Sequence, residues 1–132
     1  MNIAIVGATG NVGRKILEVL EKRNLPIDDL YFVASSKSAG SKLKFKGKEI
    51  EVENLETFDF SKGKITFFSA GGKISEKYAP IAAKHSIVID NSSYFRMDDN
   101  VPLVVPEVNP EALDKHKNII ANPNCSTIQM VL

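Results

Sequence analysis

The chain is poor in cysteine, in charge of one sign and in long apolar runs, and each shortage excludes a class of protein. One cysteine among 132 residues cannot form an internal disulfide, and a net charge of +1 offers no field for nucleic acid or an anionic membrane. No apolar run is long enough to span a bilayer. A strand pattern begins directly after Met1, so we expect no signal peptide. These observations predict a cytoplasmic protein whose thiol stays reduced.

Apolar residues make up 43% of the chain, which is enough for one domain with a core. Apolar runs alternate with helical patterns, and this order predicts an α/β fold with a parallel sheet and helices on both faces. Pro80 lies inside the second main helical pattern and predicts a late start or a kink there. The predicted strands are 2–6, 30–34, 64–69, 87–90, 103–105 and 118–121, with a hairpin around 47–48 and helices at 11–23, 75–85, 110–115 and 125–132.

Polar clusters follow most of the predicted strands. Because ligands in parallel sheets bind beyond the carboxyl ends of the strands, we expect these clusters to share one edge. The clusters are residues 7–13, 35–38, 69–72, 91–96 and 122–125.

The first cluster is a glycine-rich turn between a strand and a helix. Gly7, Gly10 and Gly13 are spaced GxxGxxG, which differs from the more familiar GxGxxG. Glycine permits a tight turn and lets a pyrophosphate approach the backbone, while the following helix presents free N–H groups to the anion. The context favours nucleotide binding over an ordinary strand-to-helix turn.

The second cluster indicates which nicotinamide nucleotide binds. An NAD enzyme usually carries an acidic residue near the end of the second strand, to hold the ribose 2′-hydroxyl. Here the sequence has Ser35, Ser36, Lys37 and Ser38 and no acidic residue. Hydroxyl groups and a cation suit a 2′-phosphate, so the pattern predicts NADP rather than NAD. The alternative is a solvated polar loop.

The only cysteine, Cys125, falls at a predicted helix start. Asn124 is a good N-cap, and in the first helical turn the macrodipole favours the thiolate. The same N–H groups can stabilise an oxyanion on an attacked carbonyl. We therefore predict that Cys125 is a nucleophile and not a buried small hydrophobe. Gln129 lies four residues on and either faces substrate or packs.

An arginine follows the strand at 87–90. Arg96, beside Asn91 and Ser92, predicts an anion pocket, since guanidinium groups bind phosphate with two parallel hydrogen bonds. The alternative is a surface loop in which Arg96 pairs with Asp98 or Asp99.

Taken together, five ordered motifs resemble aspartate-β-semialdehyde dehydrogenase along the whole chain. The resemblance implies a Rossmann-type NADP-binding domain at 1–124. A second, catalytic α/β domain would follow, of which residues 125–132 are the first helix and the rest is absent from this chain. It also implies reductive dephosphorylation of aspartyl-β-phosphate to aspartate-β-semialdehyde, on the route to lysine, methionine and threonine, in a homodimer or homotetramer. The motifs are GATGNVG at 7–13, SAGG at 69–72, DNSSYFRMD at 90–98, VVPEVNP at 104–110 and NPNCSTIQ at 122–129.

The resemblance also assigns residues. Cys125 matches the nucleophile that forms an acyl-thioester, and Arg96 matches the arginine that binds the substrate's phosphate, with Asn91 and Ser92 nearby. No metal ion is implied. The cofactor positions are Thr9, Gly10, Asn11 and Val12 at the pyrophosphate, within the turn from Gly7 to Gly13; Ser35, Ser36, Lys37 and Ser38 at the 2′-phosphate; and Gly71 and Gly72 beside the nicotinamide. Many relatives have arginine where this chain has Lys37.

The chain departs from the family in lacking two parts. The family's acid/base histidine and second substrate arginine would lie beyond residue 132, and we expect His85 and His116 to be ordinary surface residues. Two rival enzymes are N-acetyl-γ-glutamyl-phosphate reductase, whose usual NPGCYPT motif differs at Asn124 and Ser126, and the more distant glyceraldehyde-phosphate dehydrogenase. A non-catalytic nucleotide-binding module is a third possibility, and Cys125 argues against it.

Overall fold

A seven-stranded sheet forms the centre of the computed structural model, which describes all 132 residues. No helix combines the length and apolar character needed to cross a membrane. The strands are β1 (Ile3–Val6), β2 (Leu30–Ala34), β3 (Lys42–Phe45), β4 (Lys48–Asn54), β5 (Ile65–Phe68), β6 (Ile87–Asp90) and β7 (Ile119–Ala121). The α-helices are α1 (Asn11–Arg23), α2 (Gly72–Ala82) and α3 (Cys125–Val131), and 3-10 helices span Phe60–Lys62 and Pro110–Lys115.

The strand order is β3-β4-β2-β1-β5-β6-β7, and every neighbouring pair is parallel except β3 with β4. The antiparallel pair is the predicted hairpin, whose two turn residues, Lys46 and Gly47, both have positive φ, as tight hairpin turns require. The predicted α/β, Rossmann-type parallel sheet is confirmed, with the hairpin added at one edge.

Alternation along the strands produces two apolar layers. On one face, Ile3 and Ile5 of β1 pack with Leu17 and Leu20 of α1. On the other face, Ala4 and Val6 pack with a layer that includes Tyr78, Ala79 and Ala82 of α2. Helices therefore lie on both faces, as the right-handed crossovers predicted.

One predicted strand and one predicted helix start are wrong. Residues 103–105 do not form a strand but a single bridge between Leu103 and Ala121, because Pro102 and Pro106 flank the segment and a proline cannot donate to a ladder. Of the two alternatives that Pro80 predicts for α2, a late start or a kink, the late start is wrong. The helix begins at Gly72, directly after Gly71 at φ 94°, and continues through Pro80.

Candidate functional site

The five polar clusters lie at the carboxyl ends of β1, β2, β5, β6 and β7. These strands are consecutive neighbours in the order β2-β1-β5-β6-β7 and all run in the same direction. The clusters therefore share one edge of the sheet, as the sequence predicted, at the place where ligands bind in such folds. We call this the carboxyl edge and the opposite side the amino edge.

Steric constraint shapes the glycine-rich turn. Gly7 has φ 87°, and a Cβ atom there would lie 2.7 Å from the carbonyl oxygen of Ser69 on the neighbouring strand end. A Cβ at Gly13 would lie 2.1 Å from the carbonyl oxygen of Gly7, so α1 packs directly on the turn. At Gly10 the nearest atom would be 3.5 Å away, which is ordinary contact. Only Gly7 and Gly13 are required by close backbone approach.

The start of α1 is open to a ligand. Gly10 is its N-cap and no side chain caps the helix. The first-turn N–H groups of Asn11, Val12 and Gly13 therefore have no intrahelical acceptor and carry the positive end of the helix dipole. Such a terminus binds anions.

A cleft of about 250 Å³ lies between the glycine turn and the ends of the neighbouring strands. Thr9 and Ser35 line it, and the hydroxyl of Thr9 donates to the Ser38 hydroxyl at 3.4 Å, which brings the loop at 35–38 against the turn. Ser36 and Lys37 are exposed, and Lys37 takes part in no ion pair.

The start of α2 is open as well. Its N-cap, Gly71, faces open space and no side chain caps the helix. A Cβ at Gly72 would lie 3.8 Å from Cβ of Tyr94 and 4.0 Å from Oγ of Ser93. Residues 91–96, which we call the arginine loop, therefore lie against the first turn of α2. Because β1 and β5 are parallel, the uncapped starts of α1 and α2 both face the carboxyl edge.

Arg96 is held by backbone carbonyl groups. Its Nε donates to the carbonyl oxygen of Asn122 at 2.8 Å, and its Nη2 donates to that of Asn91 at 3.0 Å. The Asn122 side chain in turn donates to Oδ1 of Asn91 at 2.8 Å. Arg96 forms no ion pair with Asp98 or Asp99, so the alternative of a surface ion pair is wrong. Because a guanidinium has five N–H donors, others are left for an anion.

Asp90 is a residue that the sequence reasoning missed. It is the last residue of β6, its side chain is completely buried, and its Oδ1 accepts from Ser75 Oγ at 2.7 Å and from the Ser92 N–H at 3.0 Å. Its Oδ2 accepts from the Ser92 hydroxyl at 2.8 Å, and that hydroxyl accepts from the Tyr94 N–H at 3.2 Å. The only available signal was an acidic residue closing an apolar strand. Ser92 is buried within this network, and its contact with substrate stays a prediction.

A second link joins the arginine loop to α2. The Tyr94 hydroxyl donates to Oε2 of Glu76 at 3.1 Å, and this bond to a carboxylate raises the pKa of Tyr94. The loop is thus connected to α2 at two levels, one buried at Asp90 and one exposed at Tyr94.

Cys125 is a free, exposed thiol at the first position of α3. The predicted N-cap is present, since Oδ1 of Asn124 accepts from the Thr127 N–H at 2.8 Å. The strand end before it is tied to the arginine loop by the bond from Arg96 to Asn122. Gln129 is exposed, which leaves its predicted alternatives open.

Both histidines lie away from this site. His85 precedes β6 and His116 precedes β7, so both are at the amino edge. His85 is exposed, as expected. His116 is half-buried and its Nδ1 accepts from the Asn118 N–H at 3.1 Å.

The family model for the semialdehyde dehydrogenase NAD-binding domain matches residues 2–116. The chain belongs to the semialdehyde dehydrogenase family. The resemblance carried by the five motifs is confirmed by a curated aspartate-semialdehyde dehydrogenase from Shewanella sp. (strain DB6705), which is 55% identical over 134 residues. That match covers 99% of this chain and 40% of the relative.

Solved structures of the family agree. Aspartate semialdehyde dehydrogenase II from Vibrio cholerae, crystallised in complex with ASA, superposes with a TM-score of 0.95 at 57% identity, over 98% of this chain and 43% of that one. The enzyme from Candida albicans, solved with NADP, has a TM-score of 0.80 at 27% identity, over 96% of this chain and 43% of that one. The chain spans about 40% of the length of the curated relatives that it matches.

Proposed function

We propose that this chain is the NADP-binding part, with the nucleophilic cysteine, of an aspartate-semialdehyde dehydrogenase. That enzyme reductively dephosphorylates aspartyl-β-phosphate on the route to lysine, methionine and threonine. The observation that carries the proposal is the bond from Arg96 Nε to the carbonyl of Asn122, three residues before Cys125. It joins an anion-binding guanidinium to the strand end that presents the thiol.

The carboxyl edge fits a dinucleotide. The close approach at Gly7 and Gly13 leaves no room for side chains, and the uncapped start of α1 offers N–H groups to a pyrophosphate. Thr9, Gly10, Asn11 and Val12 would hold that group. The open space at Gly71, directly before Gly72 in the chain, leaves room for the nicotinamide.

The loop at 35–38 supports NADP over NAD. It supplies three hydroxyl groups, those of Ser35, Ser36 and Ser38, together with the Lys37 ammonium, and it contains no carboxylate to repel a 2′-phosphate. The relative from Candida albicans was solved with NADP, which agrees with this assignment. Lysine offers a point charge and not a planar fork, so we expect a preference and not strict exclusion of NAD.

The chain's own groups perform the acyl transfer. The Cys125 thiolate attacks the acyl carbon of the substrate, forming a thioester while inorganic phosphate leaves. Arg96, already oriented by two carbonyl groups, stabilises the negative charge of the departing phosphate. The first-turn N–H groups of Cys125 and Ser126 have no intrahelical acceptor, and we assign them to the developing oxyanion.

When bound, the cofactor supplies the hydride that reduces the thioester. The Cys125 sulfur is then the leaving group that returns as a thiol when the aldehyde departs. The protons require an acid/base group, and both histidines of this chain lie at the amino edge. We assign that group to the portion of the relatives' length that this chain does not span. Residues 125–132 would be the first helix of the second, catalytic domain, and the complete enzyme would form a homodimer or homotetramer. A cytoplasmic location would keep the thiol reduced.

A chimera tests the proposal. Residues 1–132 would replace the matching portion of the Vibrio cholerae enzyme, and reduction of NADP would be followed with aspartate semialdehyde and phosphate. We expect turnover by the chimera, none by its Cys125→Ser variant, and none by the 132-residue chain alone, because proton transfer supplies about two to four orders of magnitude of rate. Turnover of N-acetyl-glutamate semialdehyde instead would favour the rival reductase.

A further inference from the structure

The Asp90 carboxyl group has no role in the chemistry described above, yet it is completely buried. No cation contacts it, and all three of its hydrogen bonds come from the two serines 75 and 92. Burying a carboxyl group costs free energy unless hydrogen bonds compensate. A group of this kind is retained where it holds surrounding elements in one arrangement.

The elements joined by Asp90 are the start of α2 and the arginine loop. Ser75 lies in the first turn of α2 and donates to Oδ1, while Ser92 lies in the loop and donates to both carboxyl oxygens. The main chain of Asp90 completes the link, since its carbonyl oxygen accepts from the Asn122 N–H at 2.9 Å. One residue thus connects α2, the loop and the end of β7.

Both carbonyl groups that hold Arg96 belong to residues bonded directly to this centre. Asn91, whose carbonyl accepts from Nη2, lies between Asp90 and Ser92 in the chain. Asn122, whose carbonyl accepts from Nε, is held by the Asp90 main chain. The direction of the guanidinium therefore depends on two peptide groups that the Asp90 network keeps in place.

We propose that Asp90 is a positioning residue whose buried carboxyl group, through Ser75 and Ser92, fixes the direction of the Arg96 guanidinium. The identity of the anion, an acyl phosphate or inorganic phosphate, rests on the proposed function. The geometry of the Asp90 network does not depend on it. Asp90 itself touches neither substrate nor cofactor.

The same helical segment provides a matched control. At the other end of α2, Ser86 Oγ and Thr66 Oγ1 form a buried hydrogen bond of 2.9 Å, and Ser86 also donates to the Ala82 carbonyl. This pair links the α2 region to β5 near the amino edge and does not contact the arginine loop. Ser86→Ala therefore removes a buried hydroxyl without disturbing the Asp90 network.

The test is nuclear magnetic resonance of the Arg96 Nε–H group in the 132-residue chain. In the wild type, the bond to Asn122 should slow exchange with water and give a separate Arg96 signal. Asp90→Asn replaces an acceptor oxygen by an amide group that donates, so a buried serine hydroxyl loses its acceptor. The Arg96 signal should then broaden or move to the position of a free arginine. Ser75→Ala, a milder change, should produce part of that shift, and Ser86→Ala none.

Titration with inorganic phosphate then separates the positioning role of Asp90 from the proposed binding of phosphate by Arg96. In the wild type the Arg96 signal should respond to phosphate, and Asp90→Asn should weaken the apparent affinity about tenfold while Ser86→Ala leaves it unchanged. An unchanged Nε–H signal in both Asp90→Asn and Ser75→Ala would overturn the positioning role. A wild-type signal that ignores phosphate would remove the phosphate from the proposed function, and the positioning role would still be decided by the Nε–H signals. Should Asp90→Asn fail to fold, Ser75→Ala against Ser86→Ala decides the matter.

Discussion

The unit β1–α1–β2 and the unit β5–α2–β6 both start their helix after a glycine with no side-chain cap, at Gly10 and Gly71. Different interactions shape the helix start in the two units. In the first unit, the turn is shaped by backbone atoms in contact, with clearances at Gly7 and Gly13 that exclude even a Cβ. In the second unit, Gly71 has open space around it, and hydrogen bonds centred on Asp90 set the geometry instead.

This difference determines what each unit tolerates. A site made of main-chain groups is insensitive to most side-chain changes nearby but cannot accept an added methyl group where backbones touch. A site made of side-chain hydrogen bonds accepts small changes of volume but fails when one donor or acceptor is lost, since the remaining buried group is left unpaired.

The largest effect should come from Gly13→Ala in the first unit. The new methyl group would lie 2.1 Å from the Gly7 carbonyl oxygen, so α1 must move away from the turn. We expect a loss of about 3 kcal/mol in the free energy of unfolding and loss of NADPH binding, measured by urea denaturation and calorimetry. Gly10→Ala is the control for stability, because its methyl group would meet no protein atom closer than 3.5 Å. An equal loss of stability in both variants would show that steric contact does not shape the turn.

The second unit is tested by Arg96→Ala. The change removes two charged donors from the carbonyl groups of Asn91 and Asn122 and should cost about 2 kcal/mol of stability, with complete loss of the response to phosphate. Arg14→Ala is the matched variant, since Arg14 Nε also donates to a carbonyl, that of Thr9 at 3.1 Å, but in an exposed position. If Arg14→Ala proved as damaging as Arg96→Ala, the contrast between the units would fail.

Lys37→Ala addresses the one charged side chain in the first unit's cofactor loop. Losing a charge opposite a 2′-phosphate should reduce the preference for NADPH over NADH about fivefold, the size of an exposed charge pair, and leave NADH affinity unchanged. Calorimetric titration with both nucleotides measures this ratio. Lys42→Ala, at an exposed position of β3, should not change it. A wild type without any preference would contradict the assignment of NADP.

The smallest effect on stability should come from Asp59, which lies between the two units in the chain. Hydrogen bonds from the Ser61 hydroxyl and N–H lower the pKa of Asp59 from its ordinary value of 3.8. A lowered folded-state pKa contributes stability above the unfolded-state pKa, and this contribution is lost as the pH falls through the folded-state pKa. In Asp59→Asn, the free energy of unfolding should therefore fall slightly less steeply as the pH is lowered into the acid range. Ligand binding should stay intact. Asp114→Asn is the comparison variant, and an identical acid limb in all three proteins would count against the stabilisation.

Local chemistry explains what the sequence could predict. The β-branched runs of β1 and β6, the tight glycine turn after β1 and the Asn124 cap each follow from adjacent residues, and the structure contains all of them. The wrong predictions also have local causes: the prolines flanking 103–105 limit its pairing, and Gly71 permits the turn from which α2 begins.

The Asp90 network could not be predicted in the same way. Ser75 and Asp90 are 15 positions apart, and Arg96 and Asn122 are 26 apart. No periodicity links such pairs, because they become neighbours only through the crossover of α2 and the pairing of β6 with β7. The sequence showed that Arg96 was a candidate anion ligand, but not which groups would direct it.

The placement of β1 between β2 and β5 has a consequence for folding. The Ser69 hydroxyl donates to the Val6 carbonyl across 63 positions of chain, so this edge exists only after the central parallel pair has closed a long loop. The entropy of closing such a loop must be lost before its contacts can form, which makes parallel sheets slow to fold. We therefore expect the cleft beside Gly7 to form late in folding, and a ligand that binds there to favour chains in which β1, β2 and β5 are already paired.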